Sequence, residues 1–144
     1  MGFSSFGFDS FRRVTDIVHR ALDVNMMRYQ VTANNLSNAG VQGFKRSVVN
    51  FETELKRALD SEKNKDSSFK MNTSHPLHIE SNSVIDYKTV KPFVALDYAT
   101  ASKANGNNVD AEEEAMNVLK IQMQYQLLSQ VAAFEYNQVQ SVLK

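Results

Sequence analysis

Residues 33–46 read ANNLSNAGVQGFKR, and this stretch closes a long helical pattern with a polar turn. Before it, apolar residues recur at alternating steps of four and three, the spacing of a coiled-coil seam. The seam and its polar end consist of Leu22, Met26, Tyr29, Ala33, Asn34, Asn35, Leu36 and Asn38. We predict a helix that begins at Asp9 or Ser10 as its N-cap and ends near Asn38, where Gly40 supplies a left-handed turn.

The segment before this helix, residues 1–8, reads MGFSSFGF. Phe alternates there with Gly and Ser, and this composition predicts an irregular segment that becomes ordered only against a partner. The segment has neither the basic residues nor the continuous apolar run of a secretory signal peptide. If the protein leaves the cytoplasm, we expect it to use another route.

A second long helix is predicted after residue 110. Asp110 can cap it, Glu113 lies at the third helical position as in a capping box, and Glu112 and Glu114 complement the helix dipole. An exposed helix start accounts for these acids. We therefore interpret them as structural residues and not as a catalytic carboxylate pair.

The apolar residues of the second helix follow the same three-four spacing in two rows. The first row, interrupted once by Glu135, consists of Val118, Ile121, Tyr125, Leu128, Ala132, Val139 and Val142. The second row consists of Met116, Leu119, Met123, Leu127, Val131 and Phe134. One partner helix cannot cover both rows, so we expect apolar surface to remain for contacts between molecules. We assign assembly roles to the seam of the first helix and to Val118, Ile121, Tyr125 and Leu128.

The pattern between the two long helices is weaker. Residues 51–59 can form a short helix, and the charged residues 60–68 predict a flexible linker. Residues 78–98 predict two or three short strands, in which Pro92 argues against a central position in a sheet.

These patterns together predict a mainly α fold. We expect long N- and C-terminal helices packed as a coiled-coil-like core, with a small irregular or β segment in the middle. Residues 1–49 and 106–144 are expected to form one domain from both ends of the chain, and residues 50–105 are expected to be an insertion.

The composition argues against several classes of function. Sixteen basic residues balance sixteen acidic ones, and Lys45-Arg46 beside Phe44 is too small a basic patch for nucleic acid, so we predict a solvated or interface loop there. No apolar run approaches the roughly 18 residues that span a bilayer. Cysteine is absent, and His75 and His78 have no third ligand at metal spacing, so we expect no metal and no cofactor.

Two motifs resemble a known family. Residues 33–39 followed by residues 43–46 are similar to the N-terminal signature of bacterial flagellar rod and hook proteins, in which Asn-Asn-Leu-Ala-Asn precedes Thr-Pro-Gly-Tyr-Lys-Arg. Residues 107–114 and 122–128 resemble the C-terminal helix of the type B proximal rod proteins, within the flagellar basal-body rod protein family. The main departure is Val41-Gln42 in place of Thr-Pro, which makes the exit from the first helix less rigid.

The resemblance implies a structural, non-enzymatic role. Subunits of this family leave the cytoplasm through the flagellar type III export gate and polymerise helically into the proximal rod, which joins the MS ring to the distal rod. The implied partners are other copies of the chain, other rod proteins, the MS ring with its rod adaptor, and the export gate, and the implied location is the periplasmic rod of the basal body. Early export substrates share a Phe-x-x-x-hydrophobic element, which here is Phe44 to Val48 or Phe51 to Leu55.

Two other functions agree less well with these residues. A cytosolic coiled-coil adaptor would share the two helices, but it would stay in the cytoplasm as an ordered dimer. A small hydrolase would need a cleft that brings His75 or His78 together with acids. A rod subunit would be exported and an adaptor would not. A hydrolase would differ from both in having acidic residues around His75 or His78.

Overall fold

The computed structural model describes residues 3–63, 84–100 and 103–143, with side chains from residue 9 onward. Three helices dominate: α1 spans Phe3–Ser37, α2 spans Glu52–Lys63 and α3 spans Ala111–Val142. The predicted mainly α fold, with long helices near both ends of the chain, is confirmed.

The smaller elements lie between α1 and α3. Strands β1 (Ser47–Asn50) and β2 (Phe93–Leu96) pair in a two-stranded sheet, and a 3₁₀ turn covers Tyr87–Thr89. Pro92 directly precedes β2. This agrees with the prediction that Pro92 excludes a central strand, because both strands of a two-stranded sheet are edge strands. His75, His78 and residues 78–83 of the region predicted to form strands lie outside the described residues.

The chain divides into two compact units. One contains residues 1–49 and 95–144, and the other contains residues 50–94. In the second unit, the Ser61 hydroxyl accepts a hydrogen bond from the Ile85 amide at 3.0 Å and donates one to the Ala58 carbonyl at 2.7 Å. Both long helices belong to the first unit, which therefore carries the candidate site.

Two helices are longer than the sequence pattern predicts. The predicted start of α1 at Asp9 or Ser10 is wrong, since the helix begins at Phe3; no proline interrupts this segment, and Gly7 costs a helix only about 1 kcal/mol. The prediction that a linker starts at residue 60 is also wrong, since α2 continues to Lys63. Glu and Lys are good helix formers, and Lys63 complements the helix dipole in the last turn.

The chain leaves α1 near the predicted residue but by another geometry. The Asn38 amide donates to the carbonyls of Asn34 and Asn35, and no left-handed residue follows directly. The prediction that Gly40 supplies the left-handed turn is wrong. The positive φ values belong to Gly43, at 72°, and to Gly106, at 78°, where two loops meet.

Helices α1 and α3 pack antiparallel, since Asn35 lies against Glu114 whereas His19 lies against Tyr136. The buried residues of this packing face are Val24, Asn25, Thr32, Asn35, Glu114 and Ile121. Four of these six side chains are polar: two amides, one hydroxyl and one carboxylate. The most deeply buried positions of the two helices are therefore largely polar, and half-buried apolar residues such as Leu22, Leu36 and Val118 accompany them.

The left-handed glycines generate a prediction for stability. Gly43→Ala and Gly106→Ala should each lower the free energy of unfolding by about 1 to 2 kcal/mol, because a Cβ disfavours positive φ. Gly40→Ala is the matched control, since Gly40 lacks positive φ and has open space around its Cβ position, and it should change stability by less than about 0.5 kcal/mol. Urea unfolding followed by circular dichroism measures all three. Equal stabilities would contradict the role given to Gly43 and Gly106.

Candidate functional site

One buried side chain, Asn107, ties the segment before α3 to the end of α1. Its amide nitrogen donates to the carbonyl oxygens of Asn38 and Ala39, both at 3.1 Å, and of Val41, at 2.8 Å. Its Oδ1 accepts from the Val109 amide at 2.6 Å, and the residue is 0% exposed. These three carbonyls lie in the turn that follows α1, so Asn107 holds the exit from α1 in place from 69 residues further along the chain.

The turn around Asn107 strengthens this contact. The Gly43 amide donates to the Asn105 carbonyl at 3.1 Å, and the Lys45 ammonium donates to the Gly106 carbonyl at 2.9 Å. Asn105 Oδ1 also accepts from the Asn107 amide at 3.1 Å. The motif of residues 43–46 and the turn cluster of residues 105–108 therefore form a single folded structure.

Asn108 makes the next link. Its Oδ1 accepts from the Arg46 amide at 2.7 Å, and its amide nitrogen donates to the Asp97 carbonyl at 2.7 Å. The Asp97 amide in turn donates to the Arg46 carbonyl at 2.8 Å. This triangle fixes the residue before β1 and the residue after β2 against the start of α3.

The Asp97 carboxyl is exposed and stays ionised beside this triangle. The Thr100 hydroxyl donates to it and is the main reason why its pKa is lowered; desolvation opposes this shift, and the amides of Ala99 and Thr100 and the Arg46 guanidinium add to it. The surroundings of Asp97 therefore favour its charged form.

Glu114 lies at the centre of the interface and is 1% exposed. Its Oε1 lies 2.6 Å from Arg46 Nε, an ion pair rather than an aligned hydrogen bond, and its Oε2 accepts from Asn35 Nδ2 at 3.3 Å. Arg46 also pairs with the more exposed Glu113 at 3.4 Å. A buried carboxylate is tolerated only when it is paired and hydrogen-bonded, and both conditions hold here.

Asn35 connects this carboxylate to the strand. Its Nδ2 donates to the Ser47 carbonyl at 2.8 Å, and its Oδ1 accepts from the Ser47 amide at 3.0 Å. One side chain of α1 thus imitates a strand partner for the first residue of β1 while it also contacts α3. We call Asn35, Arg46, Asn107, Asn108 and Glu114 the polar latch.

Two predictions for these residues are wrong. Glu114 was expected at an exposed helix start, but it is four residues before Val118 and seven before Ile121, and this spacing turns it inward. The Lys45-Arg46 pair was expected in a solvated or interface loop, but both side chains bind other parts of the same chain. The predicted cap of α3 is confirmed, since Asp110 accepts from the Glu112 amide at 3.0 Å.

The middle of the helix pair contains a further polar contact. Asn25 is 1% exposed and donates through Nδ2 to the Ile121 carbonyl at 3.2 Å, whereas its Oδ1 has no partner within the described residues. Ile121 is the buried apolar residue at this level of α3. The interior of the unit is therefore specific in its polar pairing but contains little apolar surface.

The second apolar row of α3 points away from α1. Its residues Met116, Leu119, Met123, Leu127, Val131 and Phe134 are all exposed, and we call this row the outer stripe. Met116 and Met123, at 66% and 65% exposed, are the most exposed residues of this row. Monomeric proteins rarely expose a continuous apolar row of this length, and such surfaces are typical of sites that contact other chains.

The remaining residues predicted to act in assembly occupy three environments. Asn35 and Ile121 are buried; Leu22, Ala33, Leu36, Asn38, Val118 and Leu128 are half-buried; Met26, Tyr29, Asn34 and Tyr125 are exposed. Phe44 and Val48, one of the two candidate export elements, are half-buried. Met26 and Tyr29 therefore keep exposed surface in the monomer, and their assembly role stays a prediction.

Two further kinds of feature, metal-binding clusters and membrane-spanning helices, bear on function in the described part of the chain. Within residues 3–63, 84–100 and 103–143, no three His, Asp or Glu side chains come together in a way that could hold a metal ion. The helices within the same ranges also lack an apolar stretch long enough to cross a bilayer.

Comparison with known proteins identifies relatives along nearly the whole chain. Over 134 residues, 93% of this chain and 98% of the relative, the sequence is 36% identical to flagellar basal body rod protein FlgB of Borrelia hermsii. The chain belongs to the FlgB family. FlgB of Borreliella burgdorferi is 35% identical over 136 residues, which are 94% of this chain and 99% of the relative. No protein-family profile matches the chain.

The FlgB-family resemblance inferred from residues 33–46 and 107–128 is confirmed. The function of individual residues in those motifs was not evident from the sequence. Asn107 and Asn108 have the composition of a turn, but the amide of Asn107 binds a carbonyl 69 residues away, and that of Asn108 binds the Asp97 carbonyl beyond the local turn. Only the burial of Glu114 could have been predicted, from its spacing of four and seven residues to Val118 and Ile121.

Asn107 provides a sharp test of the latch. Asn107→Asp keeps the acceptor for the Val109 amide but removes the donor that caps three carbonyls, so it should lower the free energy of unfolding by about 3 kcal/mol. Asn107→Ala should cost a similar amount. The control is Asn105→Asp at an exposed position. Asn105 acts only as an acceptor among the described side-chain contacts, and Asp keeps that acceptor. Chemical denaturation decides, and an Asn107→Asp variant as stable as the control would contradict the capping role.

Proposed function

We propose that this protein is a structural, non-enzymatic subunit of the bacterial flagellar basal body rod. The observation that carries the proposal is the exposed outer stripe on a chain related along nearly its full length to two rod proteins named FlgB. Covering an apolar row that the fold leaves exposed is favourable, because it removes apolar surface from water. Polymerisation supplies such a cover without a cofactor or a catalytic group.

The finer proposal concerns assembly and partners. The subunit leaves the cytoplasm through the type III export gate and joins a helical polymer in the periplasmic part of the basal body. There it contacts copies of itself and other rod proteins, and it links the MS ring and its rod adaptor to the distal rod. The polar latch supports this proposal, because it holds α1 and α3 in one orientation and so gives every copy the same outer stripe.

The domain arrangement fits the same proposal. Residues from both ends of the chain supply α1 and α3, and we propose that they form the polymerising part, with the middle segment as an insertion. The assembly residues of α1 that stay exposed, Met26 and Tyr29, are then available to a neighbouring copy.

A charge on the outer stripe tests this function directly. Met123→Asp and Leu127→Asp should leave the monomer folded, because both side chains are exposed in it, and should abolish rod assembly and motility, because a buried unpaired charge costs several kcal/mol. Gln122→Asp adds the same charge on another exposed face of α3 and should assemble normally. Basal bodies isolated from each strain are probed for the subunit. Normal rods built from Leu127→Asp would show that the outer stripe is not part of the assembly surface.

The export element can be tested apart from folding. Phe44→Ala should reduce secretion strongly and Phe51→Ala only weakly, because Phe44 follows a turn and is half-buried, whereas Phe51 is 3% exposed and belongs to the packed structure. Secretion is measured in a strain in which rod growth is blocked downstream, so that assembly does not affect the readout. Normal secretion of Phe44→Ala would assign this ring a structural role only.

The cytosolic adaptor is the competing function, and location distinguishes the two. A rod subunit should be recovered from the basal body fraction in cells with a working export gate and from the cytoplasm in cells without one. An adaptor would stay in the cytoplasm in both strains.

A further inference from the structure

Strand β2 has a backbone edge that no described segment covers. The Asp97 amide, one residue past the strand, donates to the Arg46 carbonyl at 2.8 Å, on the side of β1. Backbone groups of successive residues in a strand point to opposite sides, so the N–H and C=O of Val94 and Leu96 point away from β1. Within the described residues, these groups form no backbone hydrogen bond to a segment outside the sheet.

The first residue of β1 differs from β2 in this respect. The Ser47 amide donates to Asn35 Oδ1 at 3.0 Å, and its carbonyl accepts from Asn35 Nδ2 at 2.8 Å. The fold therefore supplies a substitute strand partner for β1 at Ser47. The outward groups of β2 have no such substitute in the described part of the chain, so β2 is the strand that can accept a further strand.

The side chains of β2 are also open to solvent. Phe93, Val94 and Leu96 are each 51% exposed, and Tyr98 just beyond the strand is 75% exposed. Edge strands in natural proteins are usually protected by a charged side chain or a proline within the strand, but residues 93–96 read FVAL. An edge strand that is apolar on both faces is a typical site for strand addition.

We propose that β2 pairs antiparallel with β2 of a second copy of the chain, so that Ala95 lies opposite Ala95 of that copy. In this register Val94 faces Leu96 of the second copy, and the two residues exchange N–H to C=O hydrogen bonds through their outward groups. The two-fold symmetry repeats the exchange at the other end of the strand. The pairing goes beyond the proposed rod function and does not depend on it.

The side chains fit this register. Val94, Leu96 and Tyr98 follow each other at steps of two, so they lie on one face of the strand and continue on the same face of the second copy. Ala95 falls at a pair without hydrogen bonds, where the two Cα atoms come within about 4.5 Å and a small side chain fits. The pairing therefore removes exposed apolar surface from water without crowding at the symmetry axis.

The charges beside the strand favour an antiparallel arrangement. Lys91 precedes β2 and Asp97 follows it, so the two ends of the strand carry opposite charges. In the proposed register, Asp97 of one copy lies opposite Phe93 of the other and diagonal to Lys91, within reach of a long side chain. A parallel pair in register would bring like charges together at both ends, which is unfavourable.

The contact is isologous, because the same strand contributes on both sides, and it therefore closes in a pair. It belongs to the free chain and does not build a filament, which needs a contact that repeats. A strand of four residues buries little surface compared with a standard interface, so the pair is weak and dissociates readily. The outer stripe takes no part in it.

A single cysteine tests the register, because the natural chain contains none. Under mild oxidation, Ala95→Cys should form a disulfide-linked dimer about tenfold faster than Val94→Cys, because the Cα separation at the axis suits a disulfide whereas Val94 faces Leu96. Both variants also carry Leu127→Asp, so that contacts of the outer stripe do not contribute. Gel electrophoresis without reductant measures the rates, and circular dichroism establishes that each variant is folded.

A charge on the strand provides the second measurement. Leu96→Lys should weaken dimerisation about tenfold in sedimentation velocity and should slow cross-linking through Ala95→Cys by a similar factor, because it places a charge on the apolar face of the pair. Val41→Lys is the matched control. It replaces an apolar residue that is 49% exposed in the turn after α1, so it should leave dimerisation unchanged.

Each outcome decides on the pairing. Preferential cross-linking through Ala95→Cys that Leu96→Lys suppresses supports it. Equal rates for Ala95→Cys and Val94→Cys, faster cross-linking through Val94→Cys, or cross-linking that Leu96→Lys does not slow would each overturn it. A chain that stays monomeric at every concentration would overturn it too. None of these results affects the rod function, which is judged from the basal body fraction.

Discussion

The contact of Asn107 with the turn after α1 is the interaction on which the rest of the unit depends. It holds the segment before α3 beside that turn, where Asn108 binds Arg46 and Glu114 pairs with the same arginine. Without it, three carbonyls of the turn would lose their side-chain donor, and the buried carboxylate would lose the arrangement that pairs it with Arg46. In this chain the two motifs are thus a set of residues that bind each other across a long stretch of sequence.

The distribution of polarity explains why such a chain assembles. Asn25, Asn35 and Glu114 fill the seam between α1 and α3, where a typical helix pair has aliphatic residues, whereas the outer stripe carries the aliphatic and aromatic residues. Polar pairing fixes the arrangement of two helices with little net stabilisation, since each hydrogen bond replaces one with water. The apolar residues of the outer stripe contribute little to folding while they are exposed, so this apolar surface remains available for the proposed contact between molecules.

Local signals were sufficient to predict the helices and the Asp110 cap, because spacing and capping depend on neighbouring residues. They did not reveal which face of α1 is buried. Met26 and Tyr29 form the more apolar row, yet the buried row contains Asn25, Thr32 and Asn35, whose partners lie on other elements. The partners of Asn107 are backbone carbonyls, which every residue has, so no sequence pattern identifies them. The outer stripe was predictable, because its excess width is a property of α3 alone.

The latch also determines when the chain can fold during its synthesis. Its hydrogen bonds join residues 69 and 79 positions apart, and the Asn25 contact with α3 spans 96 positions. Contacts so distant in sequence give a high contact order, which slows folding, and none of them can form before the ribosome has entered the final third of the chain. Throughout that interval α1 lacks every contact that holds it against α3, and the two ends of the nascent chain remain separate.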